Sequence, residues 1–277
     1  MTDAPNVDEE LLAKIENDVL WLTLNRPDAG NAITPAVRNR MIEHFDDANT
    51  NYNVRAIVLT AVGEKHFCTG AGLGSAQNAE PERPADAPDK ALGDVARLVR
   101  RGWQRLVTSI LDCDKPVIAA VNGTAAGGGA NLVLACDLVV MADTARLIEV
   151  FVTRGIIPDA GGCYLLPRIV GPQRAKEIMF LGDAVSSADC ERFGIANRVV
   201  PAAEVAATVD DLAQRLATGP TKAIAMTKWL VNRSSESSRH SAFEEEAYAQ
   251  ELVTGTADMA EGIAAFGERR APDFKGW

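Results

Sequence analysis

The stretch TAAGGGANLVLACD, residues 124–137, places three consecutive glycines between an apolar run and a segment with helical spacing. Glycine in a forming helix is unfavourable by roughly 1 kcal/mol relative to alanine. Three glycines in a first turn therefore indicate a need for close approach to the backbone rather than for helix stability. The first polar side chain after them is an amide, Asn131, and not an acid.

Strand patterns occur on both sides of this stretch. Alternating apolar and polar residues predict a strand at residues 19–27, and the Val and Ile content of residues 54–62 predicts a buried strand. Residues 115–123 predict a third strand, and another apolar run follows residue 137. Helical spacing separates these strands, and alternation of this kind implies crossover connections and a largely parallel sheet. The sequence therefore predicts an α/β fold.

The helices are predicted from spacing and end signals. Residues 34–49 have helical spacing, with Thr34 as N-cap and Pro35 at the first helical position. Residues 91–113 predict one long helix, and residues 239–277 predict two or three helices and a tail. The segment 79–90 is rich in proline and acids, which is typical of a surface loop.

Composition limits the classes of function. The chain has 277 residues, 47% hydrophobic content and a net charge of -10, which fits a globular protein and argues against nucleic acid as a partner. No apolar run approaches a membrane span, and no secretory signal is recognisable. The five cysteines are widely spaced without a CxxC, so neither a disulfide framework nor a metal site is expected. We expect a reduced, cytoplasmic protein without a membrane partner.

Two glycine-rich turns are candidates for a binding site. The turn at residues 123–132 lacks the Lys-Ser/Thr ending of a phosphate loop, and GAGLGS (70–75) has Ser75 where a dinucleotide fingerprint has glycine. The remaining interpretations are backbone N–H donors for an oxyanion at a helix start, or close packing of helix on strand. The turns alone do not decide between them.

Five segments together resemble the enoyl-CoA hydratase/isomerase (crotonase) superfamily. They are LNRPDAGNAIT (24–34), FCTGAGLG (67–74), residues 115–147, GIIPDAGGCYLLPRIVG (155–171) and FLGDAVSSADCERFGIANRVVP (180–201). The resemblance implies a spiral of β-β-α units over residues 1–200 and a helical region over 201–277 that forms a homotrimer or homohexamer. It also implies an acyl-CoA thioester substrate and no cofactor beyond the coenzyme A moiety.

By the same resemblance, the N–H groups of Ala71 and Gly128 form an oxyanion hole for a thioester enolate. Gly72 and Leu73 are expected to line the substrate pocket. The resemblance also implies that Arg26 and, across a subunit boundary, Phe266 and Arg269 bind the coenzyme A moiety.

This sequence differs from hydratases of the family at the positions of their two catalytic glutamates. The two glutamates that hydratases use fall at Asn131 and Phe151, and neither side chain transfers protons. Asp159 remains, at a position where some isomerases of the family look similar, although an N-cap for the following helix is the alternative interpretation. Glu149 is a reserve candidate, because it shares a face with Phe151 if the chain is extended there.

Three functions follow as hypotheses. A double-bond isomerase needs one carboxylate that removes a proton from C2 and returns one to C4, which fits Asp159. A hydratase with atypical acid/base residues is the second hypothesis, and a catalytically degenerate acyl-CoA-binding protein is the third.

Overall fold

The computed structural model of the chain describes residues 7–72, 84, 86, 88 and 92–277. Leu73 and most of the predicted loop 79–90 lie outside the described residues. The strands are β1 (Leu11–Glu16), β2 (Val19–Leu24), β3 (Ala56–Ala61), β4 (His66–Cys68), β5 (Val117–Val121), β6 (Thr124–Ala126), β7 (Leu138–Ala142), β8 (Arg146–Ile148), β9 (Ala184–Ser186) and β10 (Arg198–Val200).

The helices alternate with these strands and then fill the C-terminal part. They are α1 (Val7–Glu10), α2 (Pro35–Ala48), α3 (Asp94–Arg101), α4 (Trp103–Leu111), α5 (Gly128–Ala135), α6 (Gly162–Val170), α7 (Pro172–Leu181), α8 (Ser187–Arg192), α9 (Val205–Ala217), α10 (Thr221–Ser234), α11 (Arg239–Thr254) and α12 (Ala257–Glu268). Within the described part of the chain, no helix combines the length and apolar character needed to cross a bilayer.

Two sheets are built from repeating β-β-α units. The larger sheet has the order β1-β2-β3-β5-β7-β10, parallel except for β1 against β2, and the smaller has the order β4-β6-β8-β9. In β3-β4, β5-β6 and β7-β8 the first strand joins the large sheet and the second joins the small one before a helix follows. This confirms the predicted α/β spiral.

The hydrophobic core lies between the large sheet and the helices packed on it. Met41 and Phe45 of α2 are fully buried, and Thr34 caps that helix by accepting a hydrogen bond from the N–H of Val37 at 3.1 Å. Helix α9 packs against β3, β5 and β7, so it belongs to the core although it follows residue 200. The division at residue 200 into core and oligomerisation region stays a prediction.

An N-terminal hairpin is present that the sequence analysis did not predict. Strands β1 and β2 pair up to Glu16 and Val19, so the connecting turn is Asn17-Asp18, with φ of 50° and 60°. A two-residue turn with both φ values positive matches the twist of the strands, and Asn and Asp tolerate it. The hairpin adds an antiparallel edge to the parallel sheet.

The single long helix predicted for residues 91–113 is wrong. The chain forms α3 and α4 with Gly102 between them, where a Cβ atom would lie 2.6 Å from the carbonyl oxygen of Leu98. Only glycine fits this break. The break matters for the site, because it places Trp103 at the start of α4.

Candidate active site

The two glycine turns meet backbone to backbone. A Cβ atom on Gly70, which has φ of 88°, would lie 2.9 Å from the nitrogen of Gly128 and 3.2 Å from the carbonyl oxygen of Ala126. A Cβ atom on Gly129 would lie 2.1 Å from the carbonyl oxygen of Cys68. The glycine run therefore permits α5 to begin directly against the turn that follows β4.

This contact brings together the two predicted oxyanion donors. Ala71 adjoins Gly70, and its N–H, like that of Gly128, has no hydrogen-bond acceptor among the described residues. The neighbouring polar groups are used, since the N–H of Gly127 donates to the carbonyl of Ile148 and the carbonyl of Gly70 accepts from the N–H of Ile33, each at 2.9 Å. Gly128 is also the first residue of α5, where the helix dipole is positive.

Trp103 covers the other side of Gly128. A Cβ atom on Gly128 would lie 2.7 Å from Cη2 and Cζ3 of the indole, so the ring is packed against the Gly128 backbone. Trp103 is not among the predicted site residues, because the spacing across residue 102 predicts one continuous helix. The signal available in the sequence was Gly102 beside a large aromatic residue.

Asn131 holds the turn that carries Asp159. Its side chain is fully buried, and Nδ2 donates to the main-chain oxygen of Asp159 at 2.8 Å. Oδ1 has no hydrogen-bond partner among the described residues and would lie 2.6 Å from a Cβ atom on Gly162. An ionised glutamate at this position has no hydrogen to donate to that carbonyl. The amide therefore joins α5 to the turn before α6.

Loss of this link has a predictable cost. We expect Asn131→Ala to lower the free energy of unfolding by about 1–3 kcal/mol, because the carbonyl of Asp159 loses its buried donor. Urea unfolding measures this effect, with the exposed Asn53→Ala variant as control. Equal stability of the two variants would show that the amide does not hold the turn.

Asp159 is not the N-cap of α6. That helix begins at Gly162 after Gly161, which has φ of 82°, and no side chain caps it. The structural alternative for Asp159 is therefore wrong. Asp159 is partly buried, and this burial raises the pKa of its carboxyl group.

Glu149 lies directly after β8 and is completely buried. Neither carboxyl oxygen has a hydrogen-bond partner among the described residues. Burial, and secondarily the charge of Asp159, raise the pKa of Glu149 to about 8. Glu149 and Asp159 are thus electrostatic neighbours, and Glu149 is mostly uncharged at pH 7.

An apolar wall completes the described part of the site. Phe151 is 6% exposed, and its Cζ would lie 3.8 Å from a Cβ atom on Gly127. Val150 approaches the same position to 3.3 Å. Gly72 follows Ala71 and is partly exposed, whereas Leu73 lies outside the described residues.

The three residues assigned to coenzyme A lie near the two ends of the chain, and Arg26 bonds to the segment whose next residue, Ile33, pairs with Ala71. Arg26 pairs with Glu10, with 2.9 Å between Nε and Oε1, and donates from Nη1 to the carbonyl of Ala32 at 2.8 Å. Phe266 is 87% exposed near the end of α12, and Arg269 follows that helix with φ of 57°. Their contacts with coenzyme A stay predictions.

Comparison with known proteins identifies the family of the chain. The family model for enoyl-CoA hydratase/isomerase matches residues 14–277. The 1,2-epoxyphenylacetyl-CoA isomerase of Escherichia coli (strain K12) is 34% identical over 97% of this chain and 99% of its own. The carnitinyl-CoA dehydratase of the same strain is 36% identical over 97% of this chain and 99% of its own.

A solved structure supports the same assignment. The enoyl-CoA hydratase from Bacillus anthracis superposes with a TM-score of 0.87 at 30% identity, covering 97% of this chain and all of the other. The relatives thus carry isomerase, dehydratase and hydratase names on one fold. The chain is a member of the enoyl-CoA hydratase/isomerase family.

Proposed function

We propose that this protein is an enoyl-CoA isomerase. It moves the double bond of an acyl-CoA thioester from the C3–C4 position to the C2–C3 position. The observation that carries the proposal is that the turn with the Asp159 carboxyl group is held by the amide of Asn131, which stands at the position of a hydratase glutamate. A relative named 1,2-epoxyphenylacetyl-CoA isomerase, identical at 34% of positions, supports an isomerase that acts on a coenzyme A thioester.

The backbone supplies the stabilisation of the enolate. The N–H groups of Ala71 and Gly128 are free of other acceptors among the described residues, and they donate to the thioester oxygen as it becomes negative. A preorganised donor of this kind contributes about 3–4 kcal/mol to the transition state. The dipole of α5 adds to it, because Gly128 opens that helix.

Asp159 carries the proton. Its carboxylate removes a proton from C2, and the electrons of the C2–H bond pass to the thioester oxygen to give a dienolate. The proton then returns from Asp159 to C4 as the carbonyl and the C2–C3 double bond form. A pKa raised by burial makes the carboxylate a stronger base than an exposed aspartate.

Two side chains disfavour hydration in this proposal. Phe151 offers no hydrogen bond to a nucleophilic water, and Asn131 is already committed to the carbonyl of Asp159.

The second hypothesis, a hydratase with atypical acids, is supported by the hydratase and dehydratase names among the relatives of this chain. A panel of 2-enoyl- and 3-enoyl-CoA thioesters separates the two, since isomerisation creates the conjugated thioester absorbance and hydration removes it. Turnover of neither substrate would favour an acyl-CoA-binding protein.

Glu149 is proposed to remain neutral during turnover. Above a pH of about 8 it ionises, and its negative charge then opposes formation of the anionic enolate in the same site. We expect kcat/KM of the wild type to fall as pH rises through about 8, and this fall to be absent in Glu149→Gln. A pH–rate profile measures the difference, and an identical alkaline fall in both proteins would exclude this role.

The same pKa shift predicts a change in stability. Folding raises the pKa of Glu149 above its ordinary value, so the stability that depends on its neutral form is complete below about pH 4.5 and is lost as pH rises through about 8. Glu149→Gln should therefore raise Tm more at high pH than at low pH. The exposed Glu177→Gln variant is the control, and an equal Tm change for both variants would contradict the expectation.

We further propose that the protein assembles as a homotrimer or homohexamer through its C-terminal helices. Large apolar side chains are exposed on α11 and α12, namely Phe243, Tyr248, Leu252, Ile263 and Phe266. Sedimentation at micromolar concentration should give a mass of three or six chains. A monomer under these conditions would contradict the assembly.

A further inference from the structure

A cavity of about 260 Å³ lies where the central strands β3 and β5 of the large sheet begin. Arg55 lines it and stands immediately before β3, while Lys115 lines it and precedes β5. The glycine turns of the active site follow β4 and β6, beyond the other ends of these parallel strands. The cavity is therefore separate from the thioester site.

Cationic groups dominate this cavity although the chain is acidic. Arg55 is held in place by main-chain and hydroxyl oxygens, with Nη2 donating to the carbonyl of Gly219 at 2.6 Å and Nε donating to Oγ1 of Thr221 at 3.0 Å. No carboxylate of the described residues lies within ion-pair distance of Arg55. Nη1 and Nη2 also donate to the carbonyl of Phe274, so Arg55 contributes positive charge to the cavity while its donors serve the protein.

Lys115 is the most informative residue of the cavity. Only 5% of it is exposed, yet its ammonium group has no hydrogen-bond or ion-pair partner among the described residues. Burial, then the charge of Lys222, lowers its pKa, and Arg55 acts in the same direction while Asp114 opposes it. The ammonium nitrogen is not among the fully buried unpaired atoms, so it keeps accessible surface where Lys115 lines the cavity, and an anion bound there can pair with it.

A helix start faces the same cavity. Helix α10 spans fourteen residues and begins at Thr221 without a side-chain cap, and Lys222 is its second residue. The first-turn N–H groups and the ammonium of Lys222 are thus donors at the cavity wall. Lys275 also lines the cavity, but its ammonium pairs with Asp273 at 2.7 Å.

We propose that this cavity binds a small tetrahedral oxyanion of the phosphate class, held by Lys115, Lys222 and the first turn of α10. Two ammonium groups and a helix start match the charge and the acceptor oxygens of phosphate. The volume accommodates a free phosphate with water or the phosphate end of a small phosphomonoester.

The test is titration of the full chain with inorganic phosphate at constant ionic strength, followed by calorimetry and by Tm. We expect saturable binding with a rise in Tm that chloride does not reproduce. Lys222→Met and Lys115→Met should each weaken phosphate binding by at least about tenfold, while Lys176→Met, an exposed lysine on α7, should leave it unchanged.

The stability of the Lys115→Met variant provides a second readout. Without phosphate, Lys115→Met should be more stable than the wild type, because it removes an unpaired charge that burial of the side chain partly desolvates. Glycerol phosphate as a second ligand distinguishes the source, since binding of phosphate alone indicates the free anion and binding of both indicates a phosphomonoester. Absence of saturable binding by the wild type, or equal binding by Lys222→Met and the wild type, would overturn the proposal.

Discussion

Asp159→Asn should lower kcat for double-bond isomerisation by about 10²- to 10⁴-fold, the usual contribution of a general acid/base. The variant is nearly isosteric, and Asn131 binds the main-chain oxygen of residue 159 rather than its carboxylate, so the turn is retained. Affinity for acyl-CoA should change little, because the proposed oxyanion donors are backbone groups. Stopped-flow turnover and equilibrium binding of a non-reactive acyl-CoA measure the two quantities.

The matched control is Asp210→Asn, which neutralises an exposed carboxylate on α9. It should keep wild-type turnover. If Asp159→Asn also keeps full turnover, the proton carrier is a different group, and Glu149 becomes the first candidate. If the Asp159 variant loses binding and turnover together, its role is to shape the pocket.

Gly128→Ala should lower kcat/KM by about 10²- to 10³-fold, the effect of losing one oxyanion donor. The added Cβ atom would lie 2.7 Å from two atoms of the Trp103 ring, a distance that requires either the ring or the start of α5 to move. Movement of α5 displaces the Gly128 N–H from the position where the thioester oxygen becomes charged. Steady-state kinetics and Tm report the two consequences.

A double variant separates the collision from a general loss of folding. Trp103→Ala makes room for the Cβ atom, so Gly128→Ala should cost less stability and less activity in that background than in the wild type. Gly267→Ala is the control, because a Cβ atom there meets nothing within 4 Å. Strictly additive losses in the double variant would show that the contact between Trp103 and Gly128 does not transmit the effect.

Local signals in the sequence were sufficient for most of the fold. Thr34 and Pro35 mark the start of α2, and the structure places the cap where the sequence predicts it. Alternation of apolar strands with helical segments predicted the parallel sheet, because that order requires crossovers. These features depend on neighbouring residues, which is why sequence patterns report them.

Features that depend on distant contacts were missed. A Cβ atom at Gly102 would meet the side chain of Arg38 on α2 as well as Leu98, and helical spacing does not report the contact with α2. The hairpin at Asn17 and Asp18 depends on the pairing of β1 with β2. Helical spacing across residue 102 therefore predicted one helix where two form. The consequence was that Trp103 was not expected at the site.

The candidate site was predictable in its residue types but not in its contacts. The absence of two glutamates was evident at Asn131 and Phe151, whereas the hydrogen bond from Asn131 to the carbonyl of Asp159 joins residues on different elements. The burial of Glu149 likewise arises from packing around β8 and not from its own neighbours in sequence.

The central claim is that this site moves a proton without adding water. The most direct measurement compares, on one preparation, the rate of conversion of 3-enoyl-CoA to 2-enoyl-CoA with the rate of hydration of 2-enoyl-CoA. The proposed chemistry predicts isomerisation at least about 10²-fold faster than hydration, because it uses Asp159 as its single proton carrier and gives a nucleophilic water no hold at Asn131 or Phe151. Hydration as fast as isomerisation would contradict it.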